Sequence, residues 1–180
     1  MTDAQPTLRG RKVHLRPWQV DDADAVFDAC QDDAIQRWTT VPSPYRRSDA
    51  IDYVTNVAPA AWKDGGAVFA VIAASAGRVA GTIGAHNMSD GVAHIGYWTA
   101  PEARGQGLTS EALRLVTRWF MTERGAARVD LAIEPANVAS VRVAERAGFV
   151  FEGILRQRLE LRERRIDVAV YSVIPSDLNG

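Results

Sequence analysis

From residue 107 to 123 the apolar side chains Leu108, Ala112, Leu115, Val116, Trp119 and Phe120 recur along one face of a 3.6-residue period, the pattern of a strongly amphipathic α-helix. A strand is predicted on each side. Residues 92–99 run as an extended apolar stretch before the helix, and 128–133 alternate after it, with Val129, Leu131 and Ile133 on one side. Strand, helix and strand in that order require a crossover, so the flanking strands lie parallel in one sheet with the helix packed on its face.

The remaining segments complete a mixed sheet. Residues 12–18 read as a strand stopped by Pro17, after which Asp21 or Asp22 caps a helix burying Ala23, Val26, Phe27 and Cys30. Pro42 and Pro44 make 38–45 a loop. Ser48 caps a second helix with Ala50, Val54, Val57 and Ala61 on one side, ended by Gly65 and Gly66. Residues 67–74, 78–85 and 92–99 form an antiparallel meander. After 128–133 comes a last helix at 137–147, stopped by Gly148, and then strands at 149–155 and 166–174 joined by the charged run 156–165. The expected class is α/β (α+β), with a sheet of six to seven strands, antiparallel early and parallel at its centre, flanked by four helices.

The 180 residues suit one domain spanning 1–180, and 47% apolar with 24% charged residues match a folded globular chain rather than a disordered one. A net charge of -1 supplies no overall attraction to nucleic acid or an anionic membrane, so neither is an expected partner. Cys30 is the only cysteine, which excludes an intrachain disulfide. The polar first ten residues and the lack of a membrane-length apolar run make a cytoplasmic protein the expectation.

The chemistry concentrates where Pro101 ends a strand and Arg104-Gly105-Gln106-Gly107-Leu108-Thr109 opens the long helix. Backbone N–H groups without bulky side chains, together with the positive end of a helix dipole, bind phosphate. A glycine pair before a helix also serves simply as a tight turn. A Walker loop would need Gly-Lys-Ser/Thr, and a dinucleotide fingerprint a third glycine and a later acidic residue. Neither is present.

These six residues resemble the pyrophosphate loop of the GNAT (GCN5-related N-acetyltransferase) superfamily, Arg/Gln-x-x-Gly-x-Gly/Ala, with Thr109 standing where Gly or Ala is commoner. Asn137, Ser140 and the run Glu145-Arg146-Ala147-Gly148-Phe149 are similar to the Asn-x-x-Ser and Glu-Lys-x-Gly-Phe signatures of its RimJ/RimL-like branch. Leu8-Arg9-Gly10, Leu15-Arg16, Glu152-Gly153, Arg156, Asp167 and Tyr171-Ser172 extend the likeness over nearly the whole chain.

The resemblance implies a GNAT fold with a splayed central sheet and an acyl-CoA cosubstrate, acetyl-CoA or another acyl-CoA, lying along the strand that ends at Trp98 and Thr99. Its diphosphate would meet Arg104, Gly105, Gln106, Gly107, Leu108 and Thr109, and Asn137, Ser140 and Arg146 would complete the site. It calls for no metal. The implied reaction is acyl transfer to a primary amine, on a protein N-terminus or a small molecule, by direct attack in a ternary complex. A catalytically weak acyl-CoA-binding regulatory domain and a succinyl or longer-chain transferase are the alternatives.

The same resemblance implies a backbone N–H near Tyr97 or Trp98 for the oxyanion. Many family members place a tyrosine on the last helix to protonate the thiolate, but Ala144 stands at that position here; the RimJ/RimL-like resemblance implies instead that the serine of Asn-x-x-Ser, Ser140, lies near the sulfur, although as the third helical residue behind an Asn137 cap it also fits a purely local role. His94 occupies the strand position at which relatives carry a glutamate base, and an ordinary imidazole near pKa 6.5 suits that task, although it also fits a hydrogen-bonded strand residue. His86, Asp90 and Glu102 are further base candidates. Acceptor loops are expected at 38–45 and 87–91, and the resemblance implies a homodimer, anchored by whichever of Trp18, Trp38, Trp62 and Trp119 are exposed.

Overall fold

The computed structural model describes residues 5–179. Its strands are β1 (Leu8–Arg9), β2 (Val13–Arg16), β3 (Gly65–Ala73), β4 (Val79–Ser89), β5 (Val92–His94), β6 (Gly96–Thr99), β7 (Arg128–Ile133), β8 (Val150–Leu161) and β9 (Arg164–Val173). They form one mixed sheet in the order β1-β2-β3-β4-β5-β7-β9-β8, with β6 paired to β4 alone. Only β5 and β7 are parallel, as the crossover through α5 (Leu108–Glu123) requires. The two strands beyond the expected seven are the two-residue β1 and the second half of the 92–99 segment.

That segment divides for a local reason. On β4, Gly84 lies opposite Gly96 and Met88 opposite Ala93, so β4 has one more residue between those points than its partner. This is a bulge, which bends the pair and changes its twist. Ile95 still donates its N–H to the Asp130 carbonyl at 2.9 Å. Beyond it β6 stays with β4 while β7 turns toward β9, and a gap opens between β6 and β7. Gly84 has no alternative there, because a Cβ would stand 2.0 Å from the Ala67 carbonyl oxygen of β3.

Helix α5 is held by aromatic packing: Trp119 lies 5.5 Å from Phe69 of β3 and 5.7 Å from Trp62 of α4 (Ala58–Lys63), between ring centroids. The first is an edge contact and the second a tilted one, and both add to the burial that already fixes the helix. The other helices depart in detail from the periodicity. Asp22 does not cap α1 (Ala23–Ala29) through its side chain; it is buried and accepts two bonds from Arg16, at 2.7 and 2.8 Å, and one from the Gln19 N–H. An additional short helix, α2 (Asp33–Trp38), is capped by Asp32, which accepts from the Ile35 N–H at 2.9 Å. Helix α3 (Arg47–Asp52) starts behind Arg46 rather than Ser48 and runs into α4 through a π-helical turn, Tyr53–Val57.

The charged run 156–165 is strand rather than a connection. β8 continues to Leu161, and the turn into β9 is made by Arg162 and Glu163 at φ +54° and +58°. Charges are compatible with a strand here because β8 is the outermost one, with most of its side chains in water. Glu152 ties it inward, accepting a bidentate pair from Arg128 of β7 at 2.7 and 2.8 Å and a bond from the Ser172 hydroxyl of β9 at 2.6 Å.

Those donors, Arg128 first and then Ser172, draw the Glu152 carboxyl down to about 2. A carboxylate held below its unfolded value near 4.5 stabilises the fold fully above that pH and loses its effect as the pH falls toward 2. Glu152→Gln is therefore expected to lower stability near neutral pH by about 1 kcal/mol or less, the scale of a solvent-reached ion pair, with the deficit vanishing by about pH 2. Urea unfolding of both proteins across that range checks this, and a constant offset at every pH would rule it out.

Candidate active site

The gap between β6 and β7 joins two cavities. The first, of about 500 Å³, is bounded by Tyr97, Trp98 and Thr99 of β6, by the loop at Arg104, Gly105 and Gly107, and by α6 (Val138–Arg146). Gly107, at φ +76°, is the N-cap of α5 and has no side chain to satisfy the first-turn N–H groups. Those donors and the helix dipole therefore face the loop. Thr109 and Thr99 share a hydroxyl–hydroxyl bond of 2.6 Å that ties the end of β6 to the start of α5. The departure from Gly or Ala at 109 thus closes a local contact and leaves the backbone donors in place.

Arg104, Arg142 and Arg146 line this cavity, and among the described lining residues there is no carboxylate. Arg104 is braced by Asp32 at 2.6 and 3.3 Å, and its guanidinium holds the Asp32 carboxyl below its usual range. Gln106 is turned away. Its amide donates to the Glu102 carbonyl at 2.9 Å, and its own carbonyl accepts from Lys12 at 3.0 Å.

The second cavity, of about 620 Å³, lies on the other side of β6 and carries the opposite charge. Asp49, Asp52, Glu134 and Glu160 line it, and none of its described lining residues is Lys or Arg. Arg37 donates to Glu134 at 3.0 and 3.1 Å and holds that carboxyl below its usual range. Of the two expected acceptor segments, residues 38–42 and 45 do form a wall, whereas 87–91 contribute nothing. Leu159, Glu160 and Leu161 of β8 stand there in their place.

Six residues line both cavities: Trp38, Thr39, Tyr97, Trp98, Asn137 and Ser140. Asn137 caps α6, accepting from the Ser140 N–H at 3.2 Å. Tyr97 places its phenol 3.3 Å from the Ser140 carbonyl, and burial pushes it up to about 12, so it stays protonated. Sequence reasoning reached Tyr97 only through its backbone; its side chain is what spans β6 and α6. Ala144 is fully buried one turn beyond Ser140.

His94 lines the carboxylate-rich cavity with its side chain two thirds exposed and Nδ1 2.5 Å from Asp130 Oδ1. Arg128 Nε donates to the other Asp130 oxygen at 3.3 Å. Asp130, which no sequence motif marks, fixes the imidazole and leaves its second nitrogen for a proton. His86 lines the same cavity, whereas Asp90 and Glu102 line neither.

A family model described as an acetyltransferase (GNAT) domain matches residues 12–150. An uncharacterized N-acetyltransferase, p20, of Bacillus licheniformis is 27% identical over 177 residues, covering 97% of this chain and 99% of its own. A ribosomal-protein-serine acetyltransferase of Escherichia coli is 34% identical over 82 residues, 46% of each chain. Among solved structures, RimJ of Mycobacterium smegmatis in complex with CoA-disulfide superposes with a TM-score of 0.84 at 21% identity, over 99% of this chain and 90% of that one.

The loop geometry generates a direct test. At φ +76° a β-branched residue is strained, although space exists, the nearest atom to an added Cβ being Lys12 Nζ at 3.7 Å. Gly107→Val is expected to shift the loop and weaken CoA binding at least tenfold while circular dichroism stays native. Calorimetry giving wild-type CoA affinity in the folded variant would overturn the loop assignment.

Proposed function

The chain belongs to the GNAT acetyltransferase family and is an N-acetyltransferase with acetyl-CoA as cosubstrate, and from that premise we propose that it acetylates a primary amine carried by a cationic acceptor, most readily the free N-terminus of a protein. One observation carries this reading: the two cavities that meet at β6 have opposite charge, arginines on one side and carboxylates on the other. An anionic diphosphate and an ammonium-bearing acceptor sort themselves between them by simple electrostatics. The name of the E. coli relative, a ribosomal-protein-serine acetyltransferase, supports a protein amine.

The residues present suit an acyl-CoA. First-turn N–H groups of α5 and the three arginines receive the diphosphate, and the edge of β6 that pairs with no strand offers backbone groups to the pantetheine amides. The bound cosubstrate supplies an activated acetyl thioester; the protein places it at the junction of the cavities and turns a two-body encounter into a positioned one.

The carboxylates draw in the ammonium form, and His94, oriented by Asp130, takes its proton. As the neutral nitrogen attacks the carbonyl carbon, a β6 backbone N–H at Tyr97 or Trp98 stabilises the charge that develops on oxygen. The C–N bond forms and the C–S bond breaks; the proton given up by the acylated nitrogen reaches the leaving thiolate through the Ser140 hydroxyl beside the N-terminus of α6, so that amide and free thiol leave and His94 returns its proton to solvent. Trp98, Thr99 and Asn137 position the cosubstrate around that point, and Arg146 holds its diphosphate end.

Among the described residues no helix is long and apolar enough to cross a membrane, and we place the enzyme in the cytoplasm, where both substrates occur. We also propose a homodimer, on the observation that Phe151, Ile154, Leu155 and Leu159 of outermost β8 are each at least 40% exposed, while Trp18 and Trp119 are buried. Light scattering at tens of micromolar is expected to give twice the chain mass; a monomer there would remove the assignment.

Ser140→Ala is expected to lower kcat about tenfold or more while CoA affinity stays within twofold, since the hydroxyl is needed most as charge reaches sulfur. Asn137→Ala is expected to damage both, with loss of a cap costing about 1 kcal/mol of stability. Steady-state kinetics beside calorimetry on folded samples separates the two, and undiminished turnover by Ser140→Ala would assign that serine to helix structure alone.

A further inference from the structure

The wall between the cavities is poorly anchored by its own residues. Helix α2 is six residues long and buries only Ile35, yet Trp38 and Thr39 at its end face both cavities, and Thr40, Val41 and Pro42 continue along the carboxylate-rich one. A helix this short gains little from its own hydrogen bonds, and its final carbonyls are left without helical partners. An arginine 121 to 126 residues away supplies a partner to one of them, Gln36, and to two carbonyls of the segment that follows. Arg162, at the tip of the β8–β9 hairpin, donates through Nε and one terminal nitrogen to the Gln36 carbonyl at 2.9 and 2.6 Å, and through that same nitrogen to Val41 at 2.6 Å and Thr39 at 3.4 Å.

The turn that holds this side chain is made at a conformational disadvantage. Arg162 and Glu163 both have positive φ, where Asn and Gly are the favoured residues of a two-residue hairpin. A turn selected for local stability alone would not use them. A planar guanidinium with several donors in a fixed fork is what reaches three carbonyls of one segment, and a lysine ammonium lacks that geometry.

We propose that Arg162 is a positioning residue for the acceptor: it fastens residues 36–41 across the gap and so fixes the wall against which the incoming amine is aligned. This rests on the reading of the carboxylate-rich cavity as the acceptor site. Arg162 lines neither cavity itself; Trp38 and Thr39 also border the arginine-lined cavity, but Arg104 and Asp32 brace the end of α2 on that side, so its effect falls mainly on the acceptor side.

The test uses Arg162→Asn, which suits a positive φ and preserves the turn, beside Arg162→Lys. Hydrogen–deuterium exchange is expected to quicken at least tenfold in residues 36–41 of Arg162→Asn and to stay unchanged in 104–109. With synthetic peptides bearing a free N-terminal amine, the acceptor KM is expected to rise about tenfold, with kcat and the acetyl-CoA KM within twofold, and Arg162→Lys is expected to fall between the two proteins. Wild-type exchange in 36–41, an unchanged acceptor KM, or an equal rise in the acetyl-CoA KM would each overturn the proposal. Exchange is read without turnover, so it judges the clamp even where the wild-type protein acetylates no peptide, a result that counts against the acceptor reading alone.

Discussion

Everything at the candidate site depends on one extra residue in β4. By opposing four steps of β4 with three of its partner between Gly84 and Met88, the bulge sends β6 away from β7 immediately after the Ile95–Asp130 bond. A regular ladder would have carried Gly96 to Thr99 into pairing with β7, closing the sheet and burying the backbone groups that now face the gap. The opening is therefore a property of hydrogen-bond register rather than of any side chain, and substitutions along β6 leave it intact unless they disturb Gly84 or its close approach to β3.

Once the sheet is open, charge sorts the two openings. The arginines come from the loop before α5 and from α6, whereas the carboxylates come from α3, the end of β7 and β8. None of these groups makes its cavity charged alone; the boundary between them is formed by uncharged residues, Trp38, Thr39, Tyr97, Trp98, Asn137 and Ser140. Helix α2 crosses that boundary. It is braced by Arg104 at its start, by Arg37 bonding to Glu134 and by Arg162 at its end, so two ion pairs and a guanidinium on backbone carbonyls do the anchoring that apolar burial does for α5.

Legibility in the sequence followed the strength of burial. Helix α5 and the Asn137 cap of α6 were readable because one has a full amphipathic period and the other a side chain with a defined local bond. The division of 92–99 was not, since Val92, Ala93, Ile95, Tyr97 and Trp98 are all apolar or aromatic and the change of phase across Gly96 leaves no mark in composition. β8 was read as ending at 155 because an outermost strand wetted along most of its length shows no alternation. The short α2 completes no period of its own, and Asp130, Glu134 and Arg162 act through partners more than thirty residues distant. The loop at 104–109 and the residues around Ser140 stand out only through family resemblance, and of the carboxylate-rich cavity's walls the sequence anticipates 38–45 but not the end of β8.

The absence of a tyrosine at 144 becomes intelligible from the helix itself. Ala144 and Ser140 are four residues apart, on the same face of α6 in successive turns, but Ala144 is sealed in the core while Ser140 stands at the junction of the cavities. A leaving thiolate placed there lies at the positive end of a nine-residue helix capped by Asn137, and a helix N-terminus by itself lowers the basicity of a thiolate. Under the proposed mechanism a sulfur stabilised in that way needs less help from an acid, and the Ser140 hydroxyl takes the part that a phenol at 144 would have had. Tyr97, the tyrosine that lines both cavities, is committed to the Ser140 carbonyl and kept neutral by burial. Its contribution under this reading is geometric: it fixes the start of α6 against β6, and with it the distance between the backbone donor for the oxyanion and the group that meets the sulfur.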